Sequence, residues 1–365
     1  MSNIENFCLV TAQPEFIDVA IGELKVFDKN LSEVEKIAAD IILCETSNAA
    51  RLMSIASDKR PTFARHIAPV QTIIDLNGSE QDIGNIALST IELPGMAQLE
   101  RSVHFSVQTR LAQTDKSLGE RAYTSGQINR TLAEALAEET GAVEDIKKPQ
   151  IVISLLCTMQ KGYLGISTAD SNLSSWPGGT RHYSQTKEQV SRAEFKLLEA
   201  LEVFNITLPS QGQVLDLGAA PGGWTRLLLE AGLQVIAVDP ARLDSRLDRR
   251  KGLEHYRGYA EDYLADAVQK HKKYDLVVND MRMDAREAAR LLGQASTCLR
   301  SEDGFIVSIL KLPHATIGID PFVNLKEALN ILRRSYNIVQ VRQLFHNRQE
   351  VTVVAAQPIP LTRRR

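Results

Sequence analysis

The chain has four cysteines and no CxxC pair, no run of eighteen apolar residues, and no basic-then-apolar opening segment. Cys8, Cys44, Cys157 and Cys298 are too scattered for a zinc ribbon or a dithiol redox centre, and read as small buried hydrophobes in a reducing compartment. Without a long apolar run, no membrane span or membrane partner is expected. The opening MSNIENFCLV lacks the pattern of a secretion signal, so the expected location is the cytoplasm. The histidines, among them His66, His104, His255, His271 and His314, do not cluster at ligand spacing, and no metal is expected. Internal repeats and low-complexity tracts are also missing. Basic excess is absent too: the net charge is −3. Residues 1–182 carry 16 basic and 23 acidic side chains, while residues 183–365 carry 26 and 22. A nucleic-acid partner needs a local basic surface, so this balance permits RNA binding without arguing for it.

What is present is an ordinary globular composition, 44% hydrophobic and 24% charged over 365 residues, long enough for two or three domains. Ser171–Thr186, rich in Ser, Thr, Pro and Gly, reads as a linker between two differently patterned halves. Upstream, FCLVTA and ADIILCET are strand candidates, each followed by a helical pattern. ARHIAPVQTIIDL then looks extended and EQDIGNIALSTIEL helical, which suggests an α+β, ferredoxin-like unit over 1–95. A second unit over 96–170 has HFSVQTRL, IVISLLCTM and GYLGIST as strands around a helical Ser125–Glu139. Downstream, over 187–357, strands and helices alternate: QVLDLG, QVIAVD, YDLVVND and GFIVSILKL are strands with helices between them. That alternation predicts an α/β, doubly wound and mainly parallel sheet. The last two strands, IVQVRQLF and EVTVVAA, are joined by HNRQ and should form an antiparallel hairpin, with a tail over 358–365.

The chemistry concentrates where the first downstream strand meets its helix, VLDLGAAPGGWT. Glycines let a backbone approach a ligand closely, and a helix N-terminus favours a carboxylate. The GxGxxG spacing of dinucleotide binders and the GKS/T of phosphate loops are both absent. Asp239, ending the next strand, is placed to accept hydrogen bonds from ribose hydroxyls. The string DLGAAPGG followed by VIAVDP resembles motif I of the FtsJ-like ribose methyltransferases, a Rossmann-like class I family. The resemblance implies S-adenosylmethionine as cofactor, held by Gly218 and the turn Ala220, Pro221, Gly222 and Gly223. It further implies contacts from Ser191, Asp239, Asp262 (in GYAEDY) and Asp280.

Methyl transfer to a 2′-hydroxyl requires removal of a proton and in-line attack, so a positioned base is wanted. A lysine can serve if burial or a second cation lowers its pKa. Asp280 and Lys311 end parallel strands, whose carboxyl ends line one crevice. An antiparallel last strand would begin, at Glu350, on that same edge, and Lys196 lies in the helix preceding the sheet. The contexts SRAEFKL, NDM, LKL and NRQEVTVVA resemble the Lys–Asp–Lys–Glu tetrad of the FtsJ-like family. That implies Lys311 as base, positioned by Lys196, Asp280 and Glu350. VRQLFHNRQEVTV, LKLP and the N-terminal extension narrow the resemblance to members that methylate a cytidine ribose in 23S ribosomal RNA. MRMDAREAA lacks a proline seen in the family, and LPHATIGIDPF has no match, which leaves the target nucleotide open.

Within 100–170, the strings HFSVQTRL, SGQINRTLAEAL, KPQIVISLLC and GYLGIST resemble a THUMP domain, an RNA-binding module. Arg101, Arg110, Lys116, Arg121 and Arg130 are then candidate phosphate contacts. Trp176, Arg181, His182 and Tyr183 in the linker suit stacking on single-stranded RNA. The expected partner is structured RNA, 23S ribosomal RNA or a ribosomal precursor. Three alternative functions fit fewer of these residues. A THUMP-type tRNA base N-methyltransferase would carry (N/D)PP(Y/F) where this chain reads NDMR. A cofactor-binding RNA chaperone would have no use for both lysines. An mRNA cap enzyme would not carry a THUMP module.

Overall fold

The computed structural model describes residues 6–112, 120–300, 303–314 and 320–360. It divides into two compact units, residues 1–181 and 182–365.

The first unit contains two sheets. One is built from β1 (Phe7–Thr11), α1 (Ile17–Lys25), β2 (Ser32–Ala38), β3 (Ile41–Glu45), α2 (Ala49–Lys59) and β4 (His66–Val70). Its strand order is β2-β3-β1-β4 and every pairing is antiparallel. α1 buries Ile17, Ala20, Ile21 and Leu24, the helical spacing of a single apolar face. The Asn48 side chain accepts from Arg51 N at 2.8 Å and starts α2.

The other sheet follows from β5 (Thr72–Asp75), α3 (Gln81–Ile91), β6 (His104–Leu111), α4 (Ser125–Thr140), β7 (Val143–Glu144), β8 (Ile151–Cys157) and β9 (Lys161–Thr168). Its order is β5-β9-β8-β6-β7. A reciprocal cap between Thr124 and Gln127 opens α4 and Gly141 at φ +72° closes it. Ile128, Leu132 and Leu136 of α4 pack with Phe105, Ile153 and Leu164 of the sheet.

The pairing of the second sheet crosses the expected boundary at residue 95. The extended run ARHIAPVQTIIDL is two strands in two sheets, with β4 on β1 and β5 on β9. Gln71 stands between them, and its side-chain amide donates to Ile166 O (3.3 Å) and accepts from Ile166 N (3.0 Å). With its amide bonded to the backbone of β9, Gln71 separates the two pairings. α3, also before residue 95, packs in the α4 cluster. The expected linker 171–186 straddles the division between units.

The second unit runs α5 (Glu194–Val203), β10 (Gln213–Leu217), α6 (Gly223–Glu230), β11 (Gln234–Val238), β12 (Leu253–Tyr256) and α7 (Ala260–Gln269). It continues with β13 (Leu276–Asn279), α8 (Ala285–Ala295), β14 (Phe305–Lys311), α9 (Pro321–Arg333), β15 (Tyr336–Arg342) and β16 (Glu350–Pro358). The seven strands lie in the order β12-β11-β10-β13-β14-β16-β15. Pairings from β12 to β14 are parallel, and β16 is antiparallel to both β14 and β15. This is the doubly wound sheet with an antiparallel last strand that the alternation predicts. β13 is buried along its whole length, as helices on both faces require. The strand order reverses between β10 and β13, and at such a point the carboxyl ends open a crevice.

The core of this unit joins Leu197 of α5, Trp224 and Leu228 of α6, and Val214, Val278, Val307 and Ile309 of the sheet. Leu228 is 0% exposed, so Leu228→Ala should destabilise the fold by about 2–5 kcal/mol. Calorimetric melting of the full chain should register this as a drop of several degrees. An unchanged melting temperature would contradict this packing.

Candidate active site

Four charged side chains meet at the carboxyl edge of the second sheet. β13 delivers Asp280 immediately after its last residue, and β14 ends on Lys311. The β14–β16 register pairs Lys311 with Glu350, so the antiparallel return puts an acid beside the amine. α5 contributes Lys196 from the side. Lys196 Nζ donates to Asp280 Oδ1 and Oδ2, both at 3.3 Å, and lies 2.7 Å from Glu350 Oε1. Lys311 Nζ donates to Asp280 Oδ1 at 2.8 Å and to Glu350 Oε2. Each cation is thus shared by both anions.

The four are largely sheltered: Glu350 is 9% exposed and Lys311, the most open, 25%. Burial works against the charge on Lys311, but Asp280 and Glu350 outweigh it and raise its pKa above the ordinary lysine value. For Glu350, burial likewise opposes ionisation, and Lys196 and Lys311 prevail, lowering its pKa. The requirement for a lowered lysine pKa is therefore not met in this state. Here Lys311 is held as an ammonium.

The glycine loop closes on the neighbouring strand ends. Gly218 has φ +72°, and a Cβ there would lie 2.4 Å from Met281 Cγ. Gly222, at φ +108°, caps α6 in the left-handed region, where a Cβ would lie 2.2 Å from Leu247 Cδ1. Between them is the cis Ala220–Pro221 peptide. Asp239 accepts from Ala220 N (3.1 Å) and Ala241 N (2.8 Å), so its carboxylate braces the loop. Asp262 sits exposed in the first turn of α7, and among the described residues no hydrogen bond or ion pair joins it to the loop or the four charges.

Sequence reasoning missed what holds Ser191 against this loop. Glu194, buried at the start of α5, accepts from Val190 N (2.7 Å) and Arg226 Nε (3.2 Å), and also bonds Arg226 Nη2. Trp224 Nε1 donates to Ala193 O at 2.7 Å. These bonds tie α5 to α6 and bring Ser191 Oγ to 2.3 Å from where a Cβ on Gly223 would stand. Ser191 Oγ is buried with no hydrogen-bond partner among the described residues. An orphaned hydroxyl beside a helix N-terminus and a glycine turn fits a ligand ending in charged polar groups. The S-x-x-E spacing of Ser191 and Glu194 was the available signal.

Asp216, in the middle of the string VLDLG, was also missed. It is 2% exposed and accepts from Thr225 Oγ1 at 2.6 Å. Burial pushes its carboxyl up to about 7; the Thr225 bond opposes this, and repulsion from Asp280 and Asp239 adds to it.

An open cleft of about 1010 Å³ adjoins the four charges, lined among others by Tyr183, Arg192, Phe195, Lys196, Lys311, Phe345, His346 and Glu350. In the first unit, Arg110 pairs with Asp40, and Arg121 donates to Ala112 O (3.2 Å) and Cys157 O (3.1 Å). Both guanidinium groups therefore brace the fold rather than stand ready for phosphate. Arg101 and Arg130 are exposed, and Lys116 lies outside the described residues. Arg181 stacks over Trp176 at 3.8 Å.

Residues 189–338 match the profile of the FtsJ-like methyltransferase family, and this part of the chain is an FtsJ-like methyltransferase domain. Curated relatives of the chain bear the name Ribosomal RNA large subunit methyltransferase M. The protein of that name from Halorhodospira halophila is 35% identical over 184 residues, 49% of this chain and 51% of its own length. The Haemophilus influenzae (strain Rd) protein is 27% identical, over 86% of this chain and 87% of its own. The chain thus spans about half the length of the first of these at the higher identity. Among solved structures, TrmN from Thermus thermophilus aligns with 96% of this chain and 99% of its own, at 16% identity and TM-score 0.41. Fibrillarin from Aeropyrum pernix, with natively bound S-adenosyl-L-methionine, covers 56% of this chain and 82% of its own, at 15% identity and TM-score 0.35.

Asp216 yields a test that needs no substrate. Its folded pKa of about 7 exceeds the unfolded carboxyl value, so its contribution is present below about pH 4 and lost as pH rises through 7. Asp216→Asn removes that loss. The melting temperature of the variant relative to the native chain should climb between pH 4.5 and 7.5, whereas a constant difference would contradict the raised value.

Proposed function

We propose that this chain is an S-adenosylmethionine-dependent methyltransferase that modifies a ribose 2′-hydroxyl of 23S ribosomal RNA, with a cytidine as the target. The observation that carries the proposal is the square of Lys196, Asp280, Lys311 and Glu350 beside the glycine loop. S-adenosylmethionine, when bound, supplies an electrophilic methyl carbon and a positive charge that weighs against the ammonium form of Lys311. Its polar end would be held by Ser191 Oγ and the Gly218–Gly223 loop, with Asp239 and Asp262 on the nucleoside side.

The chain's own part is proton management and positioning. Neutral Lys311 Nζ takes the proton of the 2′-hydroxyl. Lys196 remains the counter-cation of Asp280 and Glu350, so the carboxylates keep a partner when Lys311 is neutral. Because those carboxylates favour the charged lysine, turnover draws on its minor neutral fraction. In the first unit, we propose that residues 6–70 form a ferredoxin-like unit and 72–170 a THUMP-type RNA-binding module; the β-α-β-β-α-β order of the first sheet supports the former. The names of the curated relatives support the ribosomal substrate.

Incubation with methyl-labelled S-adenosylmethionine and large-subunit ribosomal RNA, followed by nucleoside analysis, should place label in a ribose; label in a base would end this reading. Lys311→Ala should lower turnover by about 10²–10⁴-fold while cofactor affinity stays within a few-fold. The native rate should keep rising with pH to 9.5 without a plateau, since the lysine pKa is raised. Glu350→Gln removes one of the charges that raise it, so its profile should bend at lower pH, with a smaller maximum. An unshifted profile would take the proton from Lys311.

A further inference from the structure

Aromatic residues are only 5% of the chain, yet Tyr183, Phe195 and Phe345 gather with His182 and His346 on one wall of the cleft that also holds Lys311. The rings touch one another. Tyr183 and Phe195 stack at 5.6 Å and 19°, while His346 lies 5.4 Å from Tyr183, 5.3 Å from Phe195 and 5.2 Å from Phe345. Unlike core rings such as Phe63 and Phe105, at 0% exposure, Tyr183, Phe195, Phe345 and His346 are only half-buried.

Their orientation is imposed by one helix. Glu199 of α5, 5% exposed, accepts from Phe345 N (2.7 Å), His346 N (2.9 Å) and His346 Nδ1 (2.7 Å). The Tyr183 hydroxyl donates to Glu202 Oε2 at 3.0 Å, and Phe195 precedes Lys196 on the same helix. His346 Nδ1 is thereby committed to Glu199, and Nε2 has no partner among the described residues. A histidine ring fixed by a buried carboxylate presents its other nitrogen, Nε2, in one set orientation on the cleft wall.

We infer that this wall seats the base of the nucleotide being modified, with the rings stacking on it and His346 Nε2 bonding its edge. The inference rests on the proposed ribose methylation. A sugar whose 2′-oxygen lies at Lys311 carries its base on the adjacent carbon, so the base must fall within the same cleft. A base paired in a duplex cannot reach such a wall, so the substrate nucleotide is unstacked and turned out of its strand. Arg192, Arg282 and Arg348 on the cleft supply cations for the flanking phosphates.

The test uses the full chain and large-subunit ribosomal RNA, with cofactor binding measured by calorimetry beside turnover. Tyr183→Ala and His346→Ala should each lower kcat/KM for RNA about ten- to a hundred-fold, with the cofactor dissociation constant within two-fold of native. Tyr183→Phe keeps the ring and loses only the bond to Glu202, so it should lose less than Tyr183→Ala. Phe345→Leu keeps apolar bulk without a ring and should fall, which reads stacking independently should Tyr183→Ala fail to bind cofactor. His346→Ala should also spread label over additional nucleosides. Variants within two-fold of native on the same single nucleoside, or a Tyr183→Phe as impaired as Tyr183→Ala, would overturn the base seat while leaving ribose methylation standing. Label found in a base would instead remove the underlying reading.

Discussion

Two ammonium groups shared by two carboxylates at one sheet edge are the constraint on which the second unit's site depends. Taking four charges largely out of water is unfavourable, and buried pairs of this kind contribute little net stability against apolar packing. Their effect is positional. Each lysine is held by both acids, so neither amine can rotate away without leaving a sheltered carboxylate short of a partner. The arrangement is neutral as a whole and becomes unbalanced when any one member is lost. It also explains why the pKa of Lys311 moves upward although the group is mostly buried: attraction from Asp280 and Glu350 exceeds the penalty of desolvation.

α5 is the element that makes this geometry reproducible. Along ten residues it carries Glu194, which ties it to Arg226 of α6; Lys196, which reaches the carboxylates; and Glu199, which grips the turn between β15 and β16. That turn leads directly into Glu350. A displacement of α5 would therefore disturb Ser191 beside the loop, the amine at the sheet edge and the start of the last strand together. Arg226 is doubly engaged, by Glu194 of α5 and by Glu230 of its own helix, which fixes its guanidinium at the α5–α6 junction. Leu197 and Ala200, both 0% exposed, anchor the helix in the core of the unit.

The first unit follows a different economy of charge. Its candidate phosphate contacts divide by what surrounds them: Arg110 and Arg121 serve the fold, and Arg101 and Arg130 remain at the surface. An arginine on a strand end near an aspartate or an unfilled carbonyl finds an internal partner before it finds a nucleic acid. Composition could not separate these cases, because the partners Asp40 and Cys157 are 70 and 36 residues away in the chain.

What the amino-acid order determined by itself was local periodicity and the chemistry of short strings. Alternating apolar strands and amphipathic helices after residue 187 specified a parallel sheet with an antiparallel end, because strand and helix patterns depend on neighbours within a few residues. Asp280, Lys311 and Glu350 were legible for the same reason: strand ends define one edge, and the direction of the last strand places its first residue there. Tertiary structure alone decided the rest. The split of ARHIAPVQTIIDL at Gln71 depends on β1 and β9, its partners far off in sequence. The buried Asp216 looked like an ordinary motif residue until its surroundings were known. The direction of the Lys311 pKa shift was decided by two carboxylates 31 and 39 residues distant, since electrostatic effects follow separation in space and burial, not position along the chain.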